Sequence, residues 1–144
     1  MVLDGIAAII AATSDFVVAA TIQNGKDLMD RLRHLSLDVC IVDVDLPMEG
    51  GASIWDALRD LSQYHKLILL IDQFDLSIIK RVKWVGVRGC LKKVFDADEL
   101  RYAIRQITKG ETYMYGSPMT LNQWSGNQEI FQNKQSFIIN QTKK

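Results

Sequence analysis

Apolar residues along the chain fall into short runs of two kinds, and the two kinds alternate. Val2 to Thr13 is rich in Ala, Ile and Leu and predicts a helix. Phe16 to Ile22 (FVVAATI) is apolar and β-branched, which predicts a strand. Asn24 then caps a helix whose Leu28, Leu32 and Leu35 share one face at spacings of four and three. Asp38 to Val42 (DVCIV) does not alternate, so it reads as a strand buried on both faces. A loop follows from Asp43 to Gly50. Next come a helix from Ala52 to Leu61 (Ile54, Leu58 and Leu61 inward) and a central strand at Leu67 to Ile71 (LILLI). Asp75 to Val85 is a helix closed by Gly86, and Arg88 to Leu91 is a short strand. Asp96 and Glu99 give a D-x-x-E capping box for a last helix with Leu100, Ala103, Ile104 and Ile107 on its buried stripe, and Gly110 ends it. Alternating helix and strand signals predict an α/β fold around a parallel sheet.

After Gly116 the pattern dissolves. Asn, Gln, Ser and Lys dominate, with scattered Trp124, Phe131, Phe137, Ile138 and Ile139. Residues 116–144 are therefore expected to form a polar, flexible tail with at most a short amphipathic or strand segment. Trp124 and Phe131 read as packing groups rather than a nucleic-acid platform.

Composition narrows the function classes. The chain has 144 residues, 48% of them hydrophobic, enough for one domain with a sizeable core. Lys+Arg and Asp+Glu both count 17, so there is no basic excess to suggest nucleic-acid binding. Cys40 and Cys90 lie inside apolar runs without a CxxC spacing and read as buried thiols. His34 and His65 fall in different segments without ligand spacing, which argues against zinc. The apolar stretch Ile6 to Ala12 lacks a basic flank, and no run reaches the eighteen or so residues of a membrane span. A cytoplasmic protein without membrane contact is expected.

Candidate chemistry gathers where strands end. In a parallel α/β sheet ligands bind beyond the carboxyl ends of the strands. Asp43 closes DVCIV, Asp72 follows LILLI, and Lys93 lies just past the fourth predicted strand. An Asp after a buried strand is by itself more often a loop or cap residue, and a single lysine there is usually a solvated one. Together they fit a different role. A strand-end carboxylate can act as a nucleophile towards phosphorus. A lysine can then pair with the attached phosphoryl group, and a magnesium ion can neutralise its oxygens. Asp43 fits the nucleophile and, with the Asp45 backbone carbonyl, a metal ligand; Lys93 fits the phosphate contact. The Asp45 and Asp72 side chains read as exposed loop carboxylates. Pro47 stiffens the loop, and Gly50-Gly51 allow a tight entry into the next helix.

These motifs resemble the receiver domains of two-component response regulators. Asp43, Pro47 and Gly51 match an Asp with Pro at plus four and Gly at plus eight. Gly86-Val87-Arg88-Gly89-Cys90-Leu91-Lys92-Lys93 is similar to the segment that ends in the family's lysine, and that spacing favours Lys93 over Lys92. Asp98 to Met114 resembles the last receiver helix of LuxR-type regulators. The likeness covers residues 1 to about 115. It implies a flavodoxin-like (CheY-like) sheet with helices on both faces and Asp43 as phosphoacceptor. It also implies a Mg²⁺ cofactor, a sensor histidine kinase as donor, a receiver homodimer and a role in transcription regulation. Self-modification in signalling is expected rather than enzymatic turnover of a metabolite.

The chain departs from that family in three ways. The family's first strand, which ends in an acid pair that helps hold the metal, is expected to be missing, because Met1 falls inside what resembles the first helix. With strand order 2-1-3-4-5 the missing strand would be an interior one, so its neighbours would lose their ladder partner. The family's switch positions, a hydroxyl residue and an aromatic, correspond to Ile71 and Cys90. The third departure is that residues 116–144 are too short and too polar for a helix-turn-helix domain. A phosphorylation-independent pseudo-receiver acting as an interaction module is the rival reading, and a truncated product or misassigned start is a third. With the acid pair absent, Mg²⁺ binding is expected to be weak.

Overall fold

The computed structural model describes residues 2–114 and 135–140. The chain runs α1 (Val2–Ala11), β1 (Phe16–Ile22), α2 (Gly25–Leu32), β2 (Val39–Asp43), α3 (Ile54–Ser62), β3 (Leu67–Ile71), α4 (Leu76–Val85), β4 (Gly89–Lys92), α5 (Ala97–Thr108), β5 (Tyr113–Met114) and β6 (Gln135–Asn140). Every pairing is parallel, in the order β1-β6-β2-β3-β4-β5.

Two apolar cores flank the sheet because successive strand side chains point to opposite faces. Cys40, Val42, Leu67, Leu69 and Ile71 face one core with Leu28 and Leu32 of α2, Leu58 and Leu61 of α3, and Val82 and Val85 of α4. Val39, Ile41, Ile68 and Leu70 face the other with Ile6 and Ile10 of α1 and the Leu100, Ala103, Ile104 and Ile107 stripe of α5. All five residues of LILLI are fully buried, each contributing roughly 1.5–3 kcal/mol. That places LILLI at the centre of the sheet, as its lack of alternation predicts. Helices therefore cover both faces.

Helix starts follow their caps. Asn24 accepts from the Asp27 amide, Asp75 from Ile78 and Asp96 from Glu99 at 2.7–2.9 Å. The helix expected from Ala52 begins instead at Ile54, since Ser53 caps it through the Trp55 amide. Only half of the Asp96/Glu99 capping box forms as drawn, because the Glu99 carboxylate takes the Tyr113 hydroxyl at 2.9 Å. Gly86 ends α4 at φ 79°, and Gly110 follows α5 at φ 92°; both lie in the left-handed region that glycine tolerates.

The largest departure from expectation is the interior slot between β1 and β2. It is filled by β6, so residues 135–140 occupy the place of the strand expected to be missing. Phe16 to Val18 pair with Gln135 to Phe137, Ala20 to Ile22 pair with Ile138 to Asn140, and an irregularity lies between them. On the other side Val39, Cys40 and Ile41 pair with Phe137, Ile138 and Ile139. The boundary at 115/116 between domain and tail therefore does not hold for residues 135–140, which rejoin the same sheet. Trp124, Phe131 and the rest of 116–134 lie outside the described residues, as do 141–144. No described helix is long and apolar enough to cross a membrane.

Candidate functional site

The carboxyl ends of β2, β3 and β4 bring Asp43, Asp72 and Lys93 together. Register does this: Asp43 pairs with Leu70, and Ile71 with Lys92. One residue past that pair, the Lys93 amide donates to the Ile71 carbonyl at 2.8 Å and aims its side chain back over the sheet end. Lys93 Nζ lies 2.9 Å from Asp43 Oδ1, 2.6 Å from Asp45 Oδ2 and 3.5 Å from Asp72 Oδ1. Lys93 is thus in contact with Asp43.

Asp43 is 3% exposed. Its Oδ1 also accepts from the Asp45 amide at 2.8 Å. The Val44 amide donates to the Leu70 carbonyl at 3.1 Å and the Leu46 amide to the Asp43 carbonyl at 3.0 Å, which fixes the turn that carries the acid. Burial lowers the Lys93 pKa, but hydrogen bonds to Asp45 and Asp43 and their charges outweigh it. The ammonium is thus held above the ordinary lysine range.

Two features of the site carried no sequence signal. The Asp45 side chain, expected to be a loop carboxylate in solvent, instead makes the shortest bond to Lys93; it is half-exposed, with its amide on Asp43. Gly25 is the second. Its amide donates to the Pro47 carbonyl at 2.7 Å and ties the acceptor loop to the start of α2. A Cβ there would stand 2.1 Å from Met48 Sδ, so any larger residue must push that thioether aside. Gly50 and Gly51 take φ of 65° and 72°, the freedom the loop requires.

The two switch positions do not join the carboxylates as polar groups. Ile71 is fully buried, and its edge lines a cleft of about 310 Å³ with Val44, Asp45, Asp72, Gln73, Asp75 and Ile78. Cys90 lies opposite Leu69 inside the core on the α2–α4 face. Burial pushes its thiol up to about 12, and that of Cys40 higher still. Both read as inert core groups. His65 donates to the Leu32 carbonyl at 2.9 Å, a structural contact between the turn after α3 and the end of α2.

The residues present do not fit a magnesium site. The three carboxylates that could face a cation converge on Lys93. The strand beside β2 ends in Asn140 rather than in acids. No cluster of His, Cys, Asp and Glu among the described residues could hold a metal ion. Of the expected ligands only Asp43 and the Asp45 carbonyl are left, which is far from the near-octahedral shell that Mg²⁺ demands.

Comparison with known proteins bears on this arrangement. Residues 1–105 match the family model of the response regulator receiver domain. The chain is 26% identical over 122 residues to the uncharacterized transcriptional regulatory protein YvfU of Bacillus subtilis, covering 85% of this chain and 60% of that one. It is 29% identical over 115 residues to the transcriptional regulatory protein DegU of Brevibacillus brevis, covering 78% and 48%. The chain thus spans about half to three-fifths of these relatives. Among solved structures, the RcsB response regulator of Salmonella typhimurium superposes with TM-score 0.71 at 18% identity, over 85% of this chain and 59% of that one. The isolated receiver domain of RcsB, with a phosphomimetic beryllofluoride, gives 0.58 at 14% over 78% and 99%. These likenesses carry the fold.

Proposed function

Because the chain belongs to the response regulator receiver domain family, we propose that Asp43 accepts a phosphoryl group from a phosphohistidine of a sensor histidine kinase. The observation that carries this reading is the Asp43–Lys93 pair, 2.9 Å apart at the carboxyl end of the sheet. In the transfer the Asp43 carboxylate forms an O–P bond as the donor's N–P bond breaks, and the imidazole nitrogen keeps the electron pair. Lys93 supplies a fixed positive charge against the phosphoryl oxygens. To reach them its ammonium must loosen its hold on Asp45 and Asp72. The output belongs to signalling and transcription regulation, as the names of the relatives suggest.

Acetyl phosphate or a cognate kinase, followed by intact mass, tests this. Wild type should gain one phosphoryl group and Asp43→Asn none. Equal labelling of both proteins would reject the assignment.

A second reading, a receiver that works as an interaction module without phosphorylation, is favoured by one feature. The cation facing Asp43 is an internal lysine already shared among three carboxylates. Absence of any mass gain in wild type under conditions that label a control receiver would establish that reading in its place.

A further inference from the structure

The interior of the sheet is completed by a segment that lies far from both of its neighbours in sequence. β6 sits between β1 and β2, while the strand before it, β5, stands at the opposite edge. Only residues 115–134 connect the two. We propose that the slot between β1 and β2 is a binding site for an extended peptide, and that the 135–140 segment of a second copy can occupy it in place of the chain's own.

The demand of the slot comes from its walls. β1 (FVVAATI) and β2 (VCIVD) each present a row of backbone donors and acceptors towards it, and both are predominantly apolar. Left open, each wall would be an unpaired ladder edge, which strongly templates another strand. The occupant must run parallel to both walls and carry an apolar centre; Gln135–Asn140 (QSFIIN) meets this with Phe137, Ile138 and Ile139. The fit is not perfect. Pairing with β1 is interrupted between Val18 and Ala20, and pairing with β2 covers Val39 to Ile41 but not Val42 or Asp43. Nothing in these walls distinguishes the chain's own segment from that of another copy.

The connection decides which copy supplies the strand. β5 and β6 are parallel members of one sheet, so the chain must return from the carboxyl end at Met114 to the amino end at Gln135. It must also cross β4, β3 and β2, about 19 Å at roughly 4.8 Å per strand. With the return along the strand the straight-line span is roughly 25 Å, and a path around a helical layer is longer. A connection of this length can extend to about 70 Å at ~3.4 Å per residue, so a chain can fill its own slot. A tether of this kind gives an effective concentration on the order of millimolar, which keeps the strand intramolecular at micromolar protein. Shortening the connection removes that option and leaves the walls unchanged. Exchange between copies then becomes the way to close the sheet.

The test is the oligomeric state of the full chain beside a deletion of residues 118–131, whose remaining connection reaches only about 24 Å. By light scattering at ~10 μM, the deletion variant should show twice the mass of the full chain, as a strand-exchanged dimer. The dimer should keep amide protection at Ile22 and at Val39 to Ile41. Adding Ile138→Pro to the deletion variant should abolish both dimer and protection, since proline removes a ladder donor. A monomeric deletion variant with β1 and β2 still protected would overturn the proposal, and so would a dimer that survives Ile138→Pro. Should the deletion variant precipitate, a second measurement decides. The full chain is refolded from urea with a millimolar labelled peptide of residues 133–144. Label retained in the protein peak supports a slot open to a separate strand; no retained label rejects it.

Discussion

Lys93 is one ammonium shared by three carboxylates, and that imbalance sets the chemistry at Asp43. For the pair at 2.9 Å desolvation of the buried Asp43 offsets much of the attraction, so its weight shows when Lys93 is removed and a buried charge is left unpaired, whereas the half-exposed Asp45 and the exposed Asp72 add modest, salt-screened attraction. The three carboxylates are already engaged by one ammonium, so titrating wild type with Mg²⁺ should leave Trp fluorescence nearly flat. Removing the ammonium in Lys93→Met exposes the carboxylates and should raise Mg²⁺ affinity at least tenfold, about 1.4 kcal/mol. A tight, saturable response in wild type that Asp43→Asn abolishes would contradict this. At this scale the sequence was legible for Asp43 and Lys93, because strand ends and loop spacing announce them. It was not legible for the Asp45 side chain. Its partner lies 48 residues away, and only the register between strands brings the two within reach.

Elements transmit what residues begin. A receiver that switches needs a part with two arrangements that the new charge can bias. Ile71 and Cys90, the two positions expected to serve as the switch, are both packed into the core. Ile71 brings only methyl groups to the cleft. The charge-assisted hydrogen bond it cannot make is worth about 1.5–3 kcal/mol, comparable to a whole allosteric coupling of roughly 1–3 kcal/mol. Beryllofluoride, a phosphoryl mimic, should therefore shift amide resonances of the Asp43–Gly51 loop and leave those from Val87 to Lys109 nearly in place. Equally large shifts across β4 and α5 would show a working switch built from other residues. Element order and type from α1 to α5 could be read from periodicity, because α2 to α5 each carry an N-cap and a buried stripe; the two-residue β5, inside a stretch expected to resemble the last helix, is too short for a periodic signal. β6 could not: six residues with polar ends give a weak strand signal, and its place depends on which ladder edges the remainder of the fold leaves open.

The whole molecule answers to pH through groups far from Asp43. Cys40 and Cys90 are both buried, and burial raises both thiols above their ordinary 9.0. The folded chain thus holds these protons more tightly than the unfolded one. Their contribution to stability is complete below pH 9 and is lost as pH rises towards the folded values. At pH 10 the loss should be on the order of 1 kcal/mol per thiol. Urea midpoints at pH 7.5 and pH 10 should fall apart in wild type and move closer in the Cys40→Ala/Cys90→Ala double variant. An equal drop in both would assign the alkaline sensitivity elsewhere, with Tyr113, whose hydroxyl burial and Glu99 hold protonated, as the next candidate. A sheet whose interior strand comes so late also has a history during synthesis. Roughly ninety residues separate the end of β2 from the start of β6, several seconds or more at a ribosome adding about 5–20 residues per second. Throughout that interval β1 and β2 are made without the strand that pairs with both, and that pairing is among the most non-local in the molecule, the kind that slows folding. The nascent chain therefore passes through a window in which two apolar edges stand open, and chaperone demand should track translation speed across residues 44–135 rather than the stability of the finished fold.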